Sequence, residues 1–218
     1  MRASLIKSIV ALTFLTAGCA GQGVAPSGSA APTANGPALN APTYTDGDEF
    51  AIRLAPEMAS ALQLPADLVM MVKHDGNSVV FASKKTGNSD AGVFTTEVDA
   101  QMCTTVYQFN DTTIKFRPCD EGVQFPLTVG KTWTVVYGVS TGGGNYIQQT
   151  GTGTVVGIED VTVPAGSFKA YRIDSRHGPS LRTSLWYVAE PVGYFVKVES
   201  SSPEAANWEL VSYHRAGK

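Results

Sequence analysis

Apolar and polar residues alternate with a period of two over much of the chain from Tyr44 onward. Trp133, Val135, Tyr137 and Val139 fall on one side of a segment, and Tyr194, Val196 and Val198 fall on one side of another, opposite Phe195, Lys197 and Glu199. That period is the signature of half-buried β-strands. Turn-forming residues interrupt it at short intervals: Asp75-Gly76-Asn77, Lys85-Thr86-Gly87-Asn88, Asn110-Asp111, Gly142-Gly143-Gly144-Asn145, Pro164-Ala165-Gly166 and Glu190-Pro191-Val192-Gly193. Strands separated by such short turns pair as antiparallel meanders. Only Pro56 to Leu64, with Pro early and then Met58, Ala59, Ala61 and Leu62, reads as a helix. The pattern predicts an all-β, mainly antiparallel domain. Its curved meander sheet forms a barrel or half-barrel, with a short helix near the start of the domain.

The first residues follow a different rule. Arg2 and Lys7 give a basic start, and Ile9 to Leu15 form an apolar run too short to cross a bilayer core of ~30 Å. Thr16, Ala17 and Gly18 follow, and then Cys19. This boundary resembles the lipobox of bacterial lipoproteins, although Thr16 stands where that motif favours Leu and Leu15 lies one step earlier. The resemblance implies a signal peptide over residues 1–18 and lipidation of Cys19. Two or three acyl chains at ~0.8 kcal/mol per buried methylene anchor a protein without a spanning helix. Ala20, rather than Asp, follows the cysteine, which implies the outer membrane, facing the periplasm.

From Gly21 to Pro42 the chain holds no charged and no aromatic residue. Such a composition cannot bury enough apolar surface to offset the entropy of ordering, so residues 19–43 are expected to form a disordered tether. Residues 44–218 then make a single β-rich periplasmic domain. The formal net charge is −3, and without Arg2 and Lys7 fourteen basic residues face nineteen acidic ones. That balance gives no footprint for nucleic acid and no polybasic membrane patch.

Residues 161–174, VTVPAGSFKAYRID, read as a hairpin: Pro164 presets φ for the turn and Gly166 can turn left-handed. With LWYVAEPVGYFVK at 185–197, this stretch resembles exported bacterial β-domains of uncharacterised function. The likeness covers the C-terminal third and suggests a half-barrel of the LolA and LolB type, without implying their activity.

Several motifs lack the context their chemistry needs. Asp46-Gly47-Asp48-Glu49-Phe50 is one residue from the GGDEF signature, but that signature belongs to an α/β domain. Gly138-Val139-Ser140-Thr141-Gly142 matches G-x-S-x-G, yet glycines and more β-pattern follow where a helix is required. Gly151-Thr152-Gly153 opens no helix for phosphate. His74, His177 and His214 are scattered, without metal-ligand spacing, and read as surface or turn residues. Asp174 and His177 lie three apart, which on a strand places them on opposite faces. No catalytic residue, cofactor or metal is expected.

Two further features carry expectations. In an oxidising compartment Cys103 and Cys119 are free to pair once Cys19 carries lipid. A hairpin turning at Asn110-Asp111-Thr112 opposes residues whose numbers sum to 222, setting Phe109 against Thr113, Tyr107 against Lys115 and Cys103 against Cys119. Arg172, Asp174 and Arg176 share one strand face and Arg182 follows nearby. This is either a solvated face of ion pairs or an arginine-lined contact (Arg172, Arg176, Arg182) for an anionic group or partner. Three functional classes remain: first, a non-enzymatic envelope lipoprotein that binds a lipid-like or apolar ligand or assists an outer-membrane partner. The second is a structural adaptor that docks other envelope proteins, and the third is a hydrolase. An apolar cavity favours the first class, and a filled interior with an exposed apolar patch favours the second.

Overall fold

The computed structural model describes residues 36–84, 94–120, 122–142, 144–177, 181–202 and 205–217. The expected signal peptide, Cys19, the tether up to residue 35 and the turn at Lys85-Asn88 lie outside the described residues. Strand β1 (Glu49–Leu54) leads into helix α1 (Pro56–Leu62), then β2 (Asp67–Asp75), β3 (Ser78–Ser83), β4 (Phe94–Val98), β5 (Thr104–Phe109) and β6 (Thr112–Asp120). After a longer connection come β7 (Thr132–Ser140), β8 (Ile147–Val163), β9 (Gly166–His177), β10 (Leu181–Val188), β11 (Tyr194–Ser200) and β12 (Trp208–His214). Each strand pairs antiparallel with the next, and β12 pairs with β1, so the meander closes into a barrel. Of the two expected arrangements, the strand order is that of the closed one. Closure leaves no free sheet edge among these strands.

The turn chemistry explains the hairpins. β8 and β9 join through Pro164-Ala165 with Val163 opposite Gly166, whose φ of +137° suits a residue without Cβ. α1 starts with Pro56 and ends two residues earlier than the apolar pattern suggests. Gln63 adopts a left-handed φ of 54°, and the N–H of Leu64 turns back to Ala59 O at 2.9 Å.

Inward positions form one apolar core. Phe50, Ile52 and Leu54 on β1, Leu68, Met70 and Val72 on β2, and Val155, Ile173, Tyr187 and Leu210 farther round are all buried. Aromatic rings concentrate in one region: Tyr194 stacks on Phe50 at 4.3 Å between centroids, and Tyr44 meets Phe81 edge-on at 5.0 Å. Each such pair contributes about 0.5–1.5 kcal/mol beyond its buried area. The glycines of β8 make room for their neighbours on β7. A Cβ at Gly153 would overlap the indole of Trp133, and one at Gly151 would stand 3.5 Å from the ring of Tyr137.

Three sequence expectations need correction. The β5–β6 turn contains two residues, not three: Phe109 pairs with Thr112 and Tyr107 with Ile114, one register step from the expected sum. A bulge between Thr104 and Val106 then shifts the pairing so that Thr104 faces Asp120. The disulfide still forms, with Cys103 and Cys119 at a Cα separation of 5.7 Å, although neither observed register sets the two directly opposite each other. On β11, the expected alternation breaks at Val196, where the register shifts against β10, and Tyr194 and Phe195 both reach the interior. Residues 36–43 belong to the barrel rather than to the tether. Leu39 makes a bridge with Leu127, Tyr171 donates its hydroxyl to Pro37 O at 2.7 Å, and Arg215 donates to Thr43 O at 2.7 Å. Backbone hydrogen bonds anchor this segment, which composition does not reveal.

Candidate functional site

A cavity of about 470 Å³ occupies part of the barrel. Its walls are mostly apolar: Ile52, Met70, Val98 and Leu185 come from strands, Met58 and Leu62 from α1, and Ala205, Ala206 and Trp208 from the β11–β12 connection and the start of β12. The volume lies in the ~300–1,000 Å³ range of small-molecule sites, and an apolar wall with few polar groups is their usual chemistry. The β12 seam near this region is thin, since only Lys197–Glu209 and Val198–Trp208 pair across β11 and β12. Asn207 holds the connection in place. Its side-chain amide accepts from the Ser200 N–H at 2.8 Å and donates to Ser202 O at 2.9 Å.

Polar groups gather at one part of this wall. Alternation along β9 points Tyr171, Ile173, Ser175 and His177 inward, and His177 meets the side chains of Tyr137 from β7 and Asp120 from the end of β6. His177 Nδ1 lies 3.3 Å from Tyr137 Oη and 3.9 Å from Asp120 Oδ2, and its Nε2 lies 3.3 Å from Ser175 Oγ. Asp120 is 13% exposed, and its Oδ1 is buried with no hydrogen-bond partner among the described residues. Burial pushes the Asp120 carboxyl above the usual range, and the charge of nearby His177 only partly opposes that. Burial likewise raises the Tyr107 phenol to about 12, with Asp120 adding to the rise, and it raises Tyr137 in the same way. Both phenols therefore remain neutral donors at physiological pH. Gly122 packs over the pair: a Cβ there would stand 3.9 Å from His177 Cε1 and 4.0 Å from Asp120 Oδ1.

Ser175, His177 and Asp120 meet in the order of a hydrolytic triad, but His177 Nδ1 stands 3.9 Å from Asp120 Oδ2, beyond hydrogen-bond length, and the serine hydroxyl has a second acceptor. Ser175 is buried and donates its hydroxyl to Thr183 O at 3.3 Å. His177 Nε2 lies at the same distance from Ser175 Oγ, so the backbone carbonyl and the imidazole compete for the one hydroxyl proton. Ser140, of the G-x-S-x-G match, ends β7 and is followed by a turn and β8 rather than a helix. Asp99 and the half-cystines Cys103 and Cys119 cluster within ligand distance, but the sulfurs bond each other and Asp99 Oδ1 accepts from the backbone N–H groups of Gln101 and Cys103. His74 sits on the exterior against Asp46 at 2.6 Å, and His214 pairs with Glu49 across β12 and β1.

The arginines take the outer wall. Arg172 bridges Asp174 at 2.9 Å and Glu159 at 3.2 Å, and its guanidinium stacks over the Trp186 ring at 5.7 Å. Arg176 and Arg182 face each other in the β9–β10 register and are exposed. Together with Thr152, Thr154, Asp174 and Ser184 they make the outside of this wall polar, while the inside is apolar. A lipid-spanning barrel needs the reverse arrangement. Among the described residues, no helix is long and apolar enough to cross a membrane. His177 was expected at a surface or turn. Reading the β9 alternation two residues past Ser175 would have turned it inward. Asp120 carried no such signal, because the bulge that positions it is not visible in the residue pattern.

The fold and cavity define a closed, antiparallel β-barrel with an apolar interior site. No protein-family model matches the chain, and no curated protein matches it. Among solved structures, it is similar to a "putative lipoprotein" from Parabacteroides distasonis at 11% identity and a TM-score of 0.35, over 82% of this chain and 100% of that chain. A similarity of that size assigns neither fold nor function.

Proposed function

We propose that this protein is a non-enzymatic lipoprotein of the cell envelope, anchored through Cys19 at the outer membrane and facing the periplasm, whose barrel holds an apolar or lipid-like ligand. The observation that carries the reading is the cavity of about 470 Å³ walled by apolar side chains inside a barrel with a polar exterior. Burying an alkyl chain there contributes ~0.8 kcal/mol per methylene. The basic start, short apolar run and Cys19 support the anchor, as does the charge-free stretch that follows. An adaptor that only docks other proteins would show a contiguous apolar patch; the exposed large apolar residues among those described are Val136 and Ile147.

Two measurements test this. Cys19→Ser should move the protein from the detergent phase to the aqueous phase; a variant that stays membrane-bound with an unmodified N-terminus removes the anchor. Native mass spectrometry of the soluble Cys19→Ser protein should find a co-purifying apolar molecule, and Ala206→Trp, which fills the cavity wall, should expel it. An empty protein that also fails to bind the neutral dye N-phenyl-1-naphthylamine would contradict the ligand reading.

A further inference from the structure

Asp120 has a strange position for a carboxylate. It lines an apolar cavity, is close to fully buried, and receives no hydrogen bond on Oδ1 from any described residue. Its nearest cationic candidate, His177, stands 3.9 Å away, beyond hydrogen-bond length, and is occupied on both ring nitrogens by Tyr137 and Ser175. An unsatisfied buried acceptor costs free energy that folding elsewhere must offset, and such groups persist where something else completes them. The remaining lining residues sharpen the point: among the described ones there is no Lys or Arg, and Asp120 is the one carboxylate. Gly122 adds no side chain of its own beside the Asp120–His177 pair.

We propose that Asp120, with Tyr137 and His177 beside it, is the head-group end of the cavity, and that the ligand is a single-chain amphiphile whose head donates hydrogen bonds, a protonated amine above all. This rests on the apolar-ligand reading and adds to it the polarity of the head. A cationic donor neutralises the carboxylate, whereas an anionic head would bring a second negative charge into a low-dielectric wall. A hydroxyl head offers the carboxylate a hydrogen bond without the charge and ranks between the two. The alkyl chain then lies along Val98, Leu185 and Phe195.

The test is displacement of N-phenyl-1-naphthylamine from the soluble Cys19→Ser protein at neutral pH by dodecylamine, dodecanol and dodecanoate. The expected order is amine, alcohol, carboxylate, with the amine at least about tenfold tighter than the carboxylate, as one charge-assisted hydrogen bond implies. Asp120→Asn keeps the shape, removes the charge, and should bring amine and carboxylate to within about threefold. A carboxylate that binds as tightly as the amine to the unsubstituted site overturns the head-group assignment but leaves the apolar site standing. So does an amine preference that survives Asp120→Asn. A protein that binds neither the dye nor any of the three overturns both readings.

Discussion

Asp48 and Arg215 form a buried ion pair that ties the residues before β1 to those after β12. Asp48 is fully buried; its Oδ2 lies 3.1 Å from Arg215 Nε, and its carboxylate accepts from the N–H groups of Thr45 and Ala216 at 3.0 and 2.7 Å. Nε is not aligned for a hydrogen bond, so that contact is charge on charge, while the other guanidinium nitrogens donate to Val192 O and Thr43 O. The guanidinium also lies over the rings of Tyr44 and Phe50.

Removing one partner leaves the other charge buried and alone. Arg215→Ala should destabilise the barrel by about 3–5 kcal/mol, and Asp48→Ala by a similar amount. Denaturant melts of the soluble protein check this. A loss below about 1 kcal/mol would mean the pair is replaced by water at no cost.

The disulfide constrains a loop of sequence separation 16. In the chain-entropy model, closing such a loop stabilises by about 3 kcal/mol. Cys103→Ser with Cys119→Ser should lower stability by that order, and reductant should have the same effect on the native protein only. Alkylation after unfolding without reductant should find neither thiol reactive.

Gly153 lies under the Trp133 indole with no room for a Cβ. Gly153→Ala should cost about 1–3 kcal/mol through overpacking. The Trp133 fluorescence, close to Lys131 Nζ at 6.0 Å from the ring, should shift with it. Gly130, whose missing Cβ meets nothing within 4 Å but whose φ is +86°, provides the contrast: its Ala variant is strained by backbone alone, without a change at the indole.

Asp120 makes stability depend on pH in a stated direction. Its carboxyl is raised by burial, so the folded state holds that proton more tightly than the unfolded state does. The resulting stabilisation is fully present below the unfolded carboxyl range and is lost as pH rises through the raised folded value. Asp120→Asn should therefore stabilise the protein at pH 7, on the order of 1 kcal/mol for a buried unsatisfied acceptor, and the gain should vanish toward pH 3. Melting temperatures of both proteins across that range decide the sign.

The strand content, the meander and most turns were legible because period two and turn chemistry are local properties. Pro164-Ala165-Gly166 gave its hairpin directly, and the pairing of Cys103 with Cys119 followed from compartment and count. Closure was not legible, since β1 and β12 meet only through contacts that span the whole domain. The β5–β6 and β10–β11 bulges hid the rest. One extra residue reverses which side faces in, so Phe195 reached the cavity against its apparent parity, and Asp120 was never placed. Residues 36–43 were misread because one leucine bridge and a few backbone hydrogen bonds hold them, and composition weighs neither.

The pairing of Glu49 with His214 sets the order in which this chain can mature. Eleven of the strand pairings join neighbours in sequence and can form as the polypeptide emerges, but the twelfth waits for the last strand to arrive. Until then the molecule is an open sheet with two unpaired rims and an exposed apolar face, the form most prone to join another copy of itself. A chain delivered N-terminus first across a membrane would spend its whole passage in that state, and the barrel would snap shut only once translocation is complete.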